Sequence, residues 1–228
     1  RVIPLYCEAY SFLAEDVKSE NSELLKLIDT IFKHLGDRGI HAMDRGGDRG
    51  VLYKKYLGGK KPKRFVIRLV NRDLIHHGRR RNCCDLAKML PTPYETVLIV
   101  YEEGKEKKRT VYYNAVPVKL PSYGHKLYLV VVKGFGEEPM MLLTSCLVES
   151  NRKESIWRIV EYYLARWKCD ESYRYIKQCY NLEDVRVQSY ISIRNIVVLV
   201  FAVSYFASVY LRQSIKLKML VERIFIVS

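Results

Sequence analysis

Between Val51 and Glu138 the chain carries four segments of strand type: RFVIRLV, ETVLIVYEE, KRTVYYNAVPVKL and KLYLVVVKG. Each is rich in β-branched and aromatic residues, and Pro, Gly and charge clusters separate them. A block of this kind commits the middle of the chain to a sheet. The sequence on either side has helical periodicity, so the expected class is α/β rather than all-β.

The opening RVIPLYCEAYSF alternates in part and reads as a strand. In ENSELLKLIDTIFKHLG, Leu24, Leu25, Leu27, Ile28, Ile31, Phe32 and Leu35 recur at helical spacing, with Asn21 as candidate cap and Gly36 as stop. GIHAM is then a short strand that delivers Asp44 at its end, which makes a βαβ-like unit. After the β-rich block, MMLLTS (Met140 to Ser145) reads as one more buried strand. Asn151 and Glu154 form a candidate capping box for a helix running to about Tyr180. The expected segments are therefore 1–50, a β-rich 51–138, and 139–228 with one strand and the C-terminal helices. Ile196 to Leu211 carries no charge and is short for a membrane span of roughly 20 residues. A buried core helix is the expectation; a membrane anchor is the alternative.

Hydrophobic residues make up 49% of the 228 positions, which excludes wholesale disorder. The net charge of +14 favours a polyanionic partner, nucleic acid above all. Cys7, Cys83, Cys84, Cys146, Cys169 and Cys179 form neither a C-x-x-C pair nor a zinc-spaced cluster with His, so reduced thiols in the cytoplasm are expected. The chain begins with Arg and shows no signal-peptide pattern, and it is read as a fragment.

The stretch GIHAMDRGGDRG admits three readings. A calcium loop fails, because its sixth place is Arg49 and its twelfth Lys55, where Gly and a bidentate Glu are required. A plain turn is possible, since Gly46, Gly47 and Gly50 permit positive φ. The third reading is a metal-binding carboxylate, Asp44, at a strand end.

The segment YLARWKCDESYRYIK carries the sharpest pattern. At about 100° per residue, with Tyr163 at zero, Arg174 falls near 20°, Asp170 near 340°, Lys177 near 320° and Arg166 near 300°. Ala165, Cys169, Tyr173, Ile176 and Tyr180 fall on an adjacent face, expected to pack on the core. The plain account of the polar face is a solvated surface with ion pairs Arg166–Asp170 and Asp170–Arg174, worth a few tenths of a kcal/mol each. The functional account is a carboxylate that meets Asp44, with cations that hold a phosphodiester beside it. Carboxylates hold Mg²⁺ pairs in phosphoryl chemistry, and Arg and Lys grip phosphate oxygens.

The spacing Tyr163-x2-Arg166-x3-Asp170-x6-Lys177 resembles the Y-x2-R-x3-E-x6-K signature of bacterial insertion-sequence transposases of the DDE type. MDRGGDRG resembles the strand end and turn that carry their second aspartate, and MMLLTS falls at their last core strand. The likeness runs from about Arg1 to Leu211. It implies a ribonuclease H-like mixed sheet flanked by helices, with the β-rich block as an insertion before the last core strand and the catalytic helix. It further implies Mg²⁺ or Mn²⁺ held by Asp44 and Asp170 as catalytic residues. Tyr163, Arg166, Arg174 and Lys177 would be nucleic-acid contacts. The activity implied is DNA strand cleavage and strand transfer on transposon ends and target, in a homodimeric synaptic complex and without a membrane.

The sequence departs from that family in three ways. The last acidic position is Asp170 rather than Glu, with Glu171 beside it as the alternative ligand. The first aspartate would fall upstream of Arg1, and Glu8, the acid of the opening strand, is not at its place. The family's N-terminal DNA-binding region is absent. An inactive DNA-binding remnant is thus the companion reading. The basic loops Lys60 to Arg64 and Arg79 to Arg81 are candidates to track a DNA backbone or to be solvated charge. His76 and His77 read as surface residues, and Trp157 and Trp167 as packing residues.

Overall fold

The computed structural model describes residues 9–11, 14, 17–102, 105–149, 152–181, 184–187 and 189–209. The chain divides into two compact units, Phe32–Arg166 and Arg1–Ile31 with Trp167–Ser228. The first is a sheet unit. The described part of the second is helical.

The sheet unit is α/β. Its six-stranded mixed sheet contains β1 (His41–Met43), β2 (Phe65–Arg68), β5 (Tyr94–Glu102), β6 (Lys105–Val118), β7 (Leu127–Lys133) and β8 (Met140–Thr144). The order is β1-β2-β8-β7-β6-β5. β1 and β2 are parallel, with His41 opposite Phe65, and every other pairing is antiparallel. A parallel pair requires a crossover. Here it is a short 3-10 turn, Arg45–Gly47, followed by α2 (Gly50–Leu57). That helix is a correction to the sequence reading, which began its β-rich block at Val51. The expected opening strand lies outside the described residues apart from Ala9 to Ser11, which form no strand.

The four strand segments of the block and MMLLTS all form strands, in one sheet with β1. Both β7 and β8 are buried on both faces, which explains why LYLVVV and MMLLT are continuous apolar runs instead of alternating ones. On one face, Val66, Tyr113, Val130 and Leu142 pack with Ile156, Val160 and Tyr163 of α4 (Lys153–Ala165). On the other, Phe65 meets the rings of Tyr53 and Tyr56 from α2, with centroids 6.0 and 5.3 Å apart. Each fully buried Val, Leu or Phe side chain contributes roughly 1.5–3 kcal/mol, so these two layers hold the unit together. Trp157 joins the first layer, 5.1 Å from Tyr113.

A second, two-stranded sheet pairs β3 (Asp73–His76) with β4 (Arg79–Asn82), and α3 (Cys83–Met89) follows it. The helix α1 (Glu20–Leu35) runs across the boundary between the units. Its start is capped by Ser19 and Ser22, whose amides and hydroxyls bond reciprocally at 3.1 Å, and not by Asn21. Gly36, at φ 60°, ends it as expected. The candidate cap Asn151 lies outside the described residues. The helix α4 has Arg152 at its N-cap without a side-chain bond.

In the helical unit, α5 (Trp167–Cys179) and α6 (Tyr190–Val209) follow. The expectation of a buried core helix for Ile196 to Leu211 is not met over its described part. Only 6% of the window Tyr190–Ala207 is buried, and Ile191, Val198, Leu199 and Phe206 are exposed.

Candidate functional site

Asp44 stands at the C-terminal end of β1, where the sequence placed it. Its Oδ1 accepts from the amide of Gly46 at 2.8 Å and so caps the 3-10 turn. The glycines of the turn are not needed for positive φ. Gly47 is needed for room, since a Cβ there would sit 2.5 Å from the Met43 Cβ. The close turn holds the Asp44 carboxylate at the strand end, with its side chain 57% exposed.

The second aspartate of the motif has the opposite environment. The Asp48 side chain is 3% exposed. Its carboxylate accepts from Arg72 Nε, from the Val70 amide at 2.9 Å and from the Tyr53 hydroxyl at 3.1 Å. Arg72 also donates to the Asp48 carbonyl at 3.0 Å and stacks over the Tyr53 ring. Burial first, and then the charge on Asp48, push the Tyr53 pKa well up, so the hydroxyl stays a donor. Asp48 thus ties the turn after Asp44 to the residues following β2.

Arg166 comes to Asp44 from far along the chain. Arg166 lies between α4 and α5, itself in helical backbone geometry at φ −59° and ψ −35°. The Arg166 amide bonds the Tyr163 carbonyl at 3.0 Å, α4 ends at Ala165, and α5 begins at Trp167. The guanidinium lies 3.7 Å from Asp44 Oδ2 and 5.8 Å from the Tyr163 ring centroid. A half-exposed pair of this kind is worth roughly 0–1 kcal/mol, so stability does not account for the arrangement.

Of the residues on the expected polar face, Tyr163 and Arg166 belong to the sheet unit. Tyr163 is 1% exposed and packs in the core of the sheet unit. Asp170, Arg174 and Lys177 belong to the helical unit. There they line one open cavity of about 460 Å³ with Tyr173, Asn181 and Asp184. On the neighbouring face, Ile176 is buried, but Ala165, Cys169 and Tyr173 are exposed. Asp184 was missed in the sequence because it falls outside the signature spacing. Trp167 is 43% exposed, so it is partly covered.

At the N-terminal end of β1, His41 Nδ1 lies 3.2 Å from the Tyr56 hydroxyl, and its ring meets Phe32 and Tyr56. Burial lowers its pKa below the ordinary 6.5. The unfolded chain then takes up this proton at a higher pH than the folded one. The stabilising contribution is complete above about pH 6.5 and is lost as pH falls through the folded value. The urea midpoint is expected to drop between roughly pH 7 and 5, and His41→Gln to flatten that drop. Identical pH profiles for the two proteins would remove His41 as the cause.

Two cations of the loop Lys60 to Arg64 have local partners. Lys63 pairs with Asp37, and Arg64 donates to the Asp37 carbonyl at 2.7 Å. His76 Nδ1 donates to the Pro117 carbonyl at 3.0 Å, and His77 is exposed. Among the described residues, no group of three His, Cys, Asp or Glu is placed to hold a metal ion. An exposed Asp44 beside a guanidinium does not by itself fit a divalent cation, which needs several oxygen ligands. Cys83, Cys84, Cys146, Cys169 and Cys179 are free thiols. No family model and no curated protein matches the sequence.

Proposed function

We propose that the chain is the catalytic domain of a DDE-type DNA transposase with a ribonuclease H-like core. The observation that carries this reading is the approach of Arg166 to Asp44. Two motifs chosen separately in the sequence, MDRGGDRG and Tyr163-x2-Arg166, meet at 3.7 Å. A strand-end carboxylate with an arginine beside it is a suitable start for engaging a phosphodiester, with the guanidinium on phosphate oxygens. The parallel pair β1–β2 with its α2 crossover is compatible with such a core, and the charge of +14 suits DNA. Mg²⁺ or Mn²⁺ and the ligand role of Asp170 enter by resemblance alone. So do the phosphate roles of Arg174 and Lys177, the homodimer and the cytoplasmic setting. The described carboxylates do not complete a metal site, and no chemical step is assigned to one.

The test uses the full chain with supercoiled plasmid DNA and Mg²⁺ or Mn²⁺. Metal-dependent nicking is expected, lost on chelation. Asp44→Asn is expected to reduce it by at least about a hundredfold, since losing a metal-holding carboxylate costs more than the roughly 10–100-fold lost with a group that only supports one. Arg166→Ala is expected to lower the salt slope of DNA binding by about one contact. Binding without nicking in either metal would leave the inactive remnant, and absence of both would end the transposase reading.

One observation favours a second reading. The exposed apolar α6 spans 20 residues, or about 30 Å, long enough by composition to cross a bilayer. A membrane-anchored basic protein would stay in the pellet after carbonate extraction of expressing cells. Release into the supernatant would dismiss that anchor.

A further inference from the structure

A basic cavity lies at the other end of β1 from Asp44. Because β1 and β2 are parallel neighbours, the segments that enter them, Gly36 to Ile40 and Lys61 to Arg64, come side by side at one edge of the sheet. The His41 amide bonds the Arg64 carbonyl at 3.1 Å and joins the two. Both segments, with Phe32 of α1, line a cavity of about 260 Å³. All its lining residues belong to the sheet unit, and Asp44 is not among them.

Four cations line this cavity, Arg38, Lys61, Lys63 and Arg64, against one carboxylate, Asp37. Three of the four are held in place by the protein. Arg38 donates to the Leu35 carbonyl at 3.0 Å and to the His34 carbonyl at 3.4 Å. Arg64 donates to the Asp37 carbonyl at 2.7 Å. Lys63 pairs with the Asp37 carboxylate and lies over the Phe32 ring, 5.0 Å from its centroid. A guanidinium has five N–H donors, so both arginines keep donors to spare. Lys61 makes no hydrogen bond and no ion pair among the described residues. The hydrogen bond and charge of Lys63 hold the Asp37 carboxyl below its usual range, and the charges of Lys61 and Arg64 lower it further. Three cations thus crowd one carboxylate. Phe32 and Pro62 add an apolar wall, and the His41 ring lines the cavity as well. The buried Tyr56 hydroxyl has His41 Nδ1 as its partner, and a phenol that donates there leaves the imidazole proton on Nε2.

We propose that this cavity binds the terminal phosphate of a nucleotide, with Lys61, Arg38 and Arg64 on the phosphate oxygens and Phe32 and Pro62 against the ring end. A phosphate monoester carries about 1.5–2 negative charges at neutral pH, which matches a surplus of more than one cation; a carboxylate carries only one. The planar fork of an arginine already fixed by carbonyls loses little further freedom on gripping phosphate. A cavity of this size admits a free nucleotide or a strand end, and not a duplex backbone passing through. None of these residues is assigned in the proposed function, so the two readings stand or fall separately.

The test is isothermal titration calorimetry of the full chain with dAMP and, in parallel, with deoxyadenosine. The expected Kd for dAMP is below about 1 mM, with deoxyadenosine at least about tenfold weaker, because the phosphate supplies the affinity. Lys61→Ala is expected to raise the dAMP Kd roughly tenfold. Its circular dichroism and thermal midpoint should match wild type, since Lys61 makes no bond in the fold. Lys108→Ala, which removes an exposed cation of β6, should leave the Kd as it was. A single-stranded oligonucleotide with and without a 5′-phosphate separates the two sources. A Lys61-dependent gain from the 5′-phosphate identifies a strand end as the ligand; no gain, with dAMP still bound, identifies a free nucleotide. Binding of dAMP no tighter than deoxyadenosine would overturn the proposal. So would an unchanged Kd in Lys61→Ala, or an equal loss in Lys108→Ala, which is general attraction to a basic protein.

Discussion

Asp48→Asn is expected to lower the stability of the protein by about 3 kcal/mol, whereas Asp44→Asn, four residues earlier, changes it by no more than about 0.5 kcal/mol. The two aspartates share one motif, DRGGD, and differ in what surrounds them. Asp48 is the buried acceptor for Arg72, the Val70 amide and the Tyr53 hydroxyl. Its replacement by Asn keeps the shape, removes the charge and leaves the Arg72 guanidinium, 28% exposed, without its counter-ion. Breaking one side of a buried pair costs about 3–5 kcal/mol, and the partial exposure of Arg72 sets the expectation at the lower end. In a chain of this size that is a fall in thermal midpoint of roughly 6–12 °C. Asp44 is half exposed, and an Asn in its place can still cap the turn. Thermal and urea unfolding of the two variants make the comparison, and equal losses would show that the Asp48 network does not hold the turn.

The second large effect is expected at Tyr163. As an exposed DNA contact it would tolerate truncation with little loss of stability. Packed instead with Val66, Leu142, Ile159 and Val160, it should respond as a core residue does. Tyr163→Ala is expected to cost about 3–5 kcal/mol, through lost transfer energy and the cavity left behind. That is a large share of the roughly 5–15 kcal/mol by which a native protein is stable. Tyr163→Phe, which keeps the ring, should cost less than about 1.5 kcal/mol. The urea midpoints of the two variants separate the roles. A Tyr163→Ala protein as stable as wild type, but weak in DNA binding, would return the residue to the surface.

The sheet was readable in the sequence because its signal is local. Runs such as LYLVVV and MMLLT contain no polar interruption, and only a strand covered on both faces needs that composition. The end of β1 at Asp44 was readable for the same reason, as a short apolar run meeting a glycine-rich turn. The crossover helix α2 was not, because GVLYKKYL is short and its aromatic content suits a strand equally well. The buried side of α2 is decided by Phe65 arriving against Tyr53 and Tyr56.

Within the site, residue types and spacing nominated Asp44 and Arg166, but spacing alone also predicted one continuous helix and one face. In the structure Arg166 joins α4 to α5 in helical backbone geometry. Tyr163 goes to the core of the sheet unit, and Asp170, Arg174 and Lys177 to a cavity of the helical unit. A helical angle says which residues share a face, but what packs against that face decides which of them are buried.

What the sequence alone determined is the α/β class, the strands of the six-stranded sheet and their order along the chain, and the basic character that favours a polyanion; the ribbon of β3 and β4 forms where it read a basic loop. Those follow from side-chain period and charge, which each segment carries by itself. The tertiary structure alone decided which of two similar aspartates is buried and which is offered to solvent. It also decided that an arginine 122 positions after Asp44 approaches it. Those outcomes depend on neighbours brought together by folding, and burial or pairing is a property of the neighbourhood rather than of the residue.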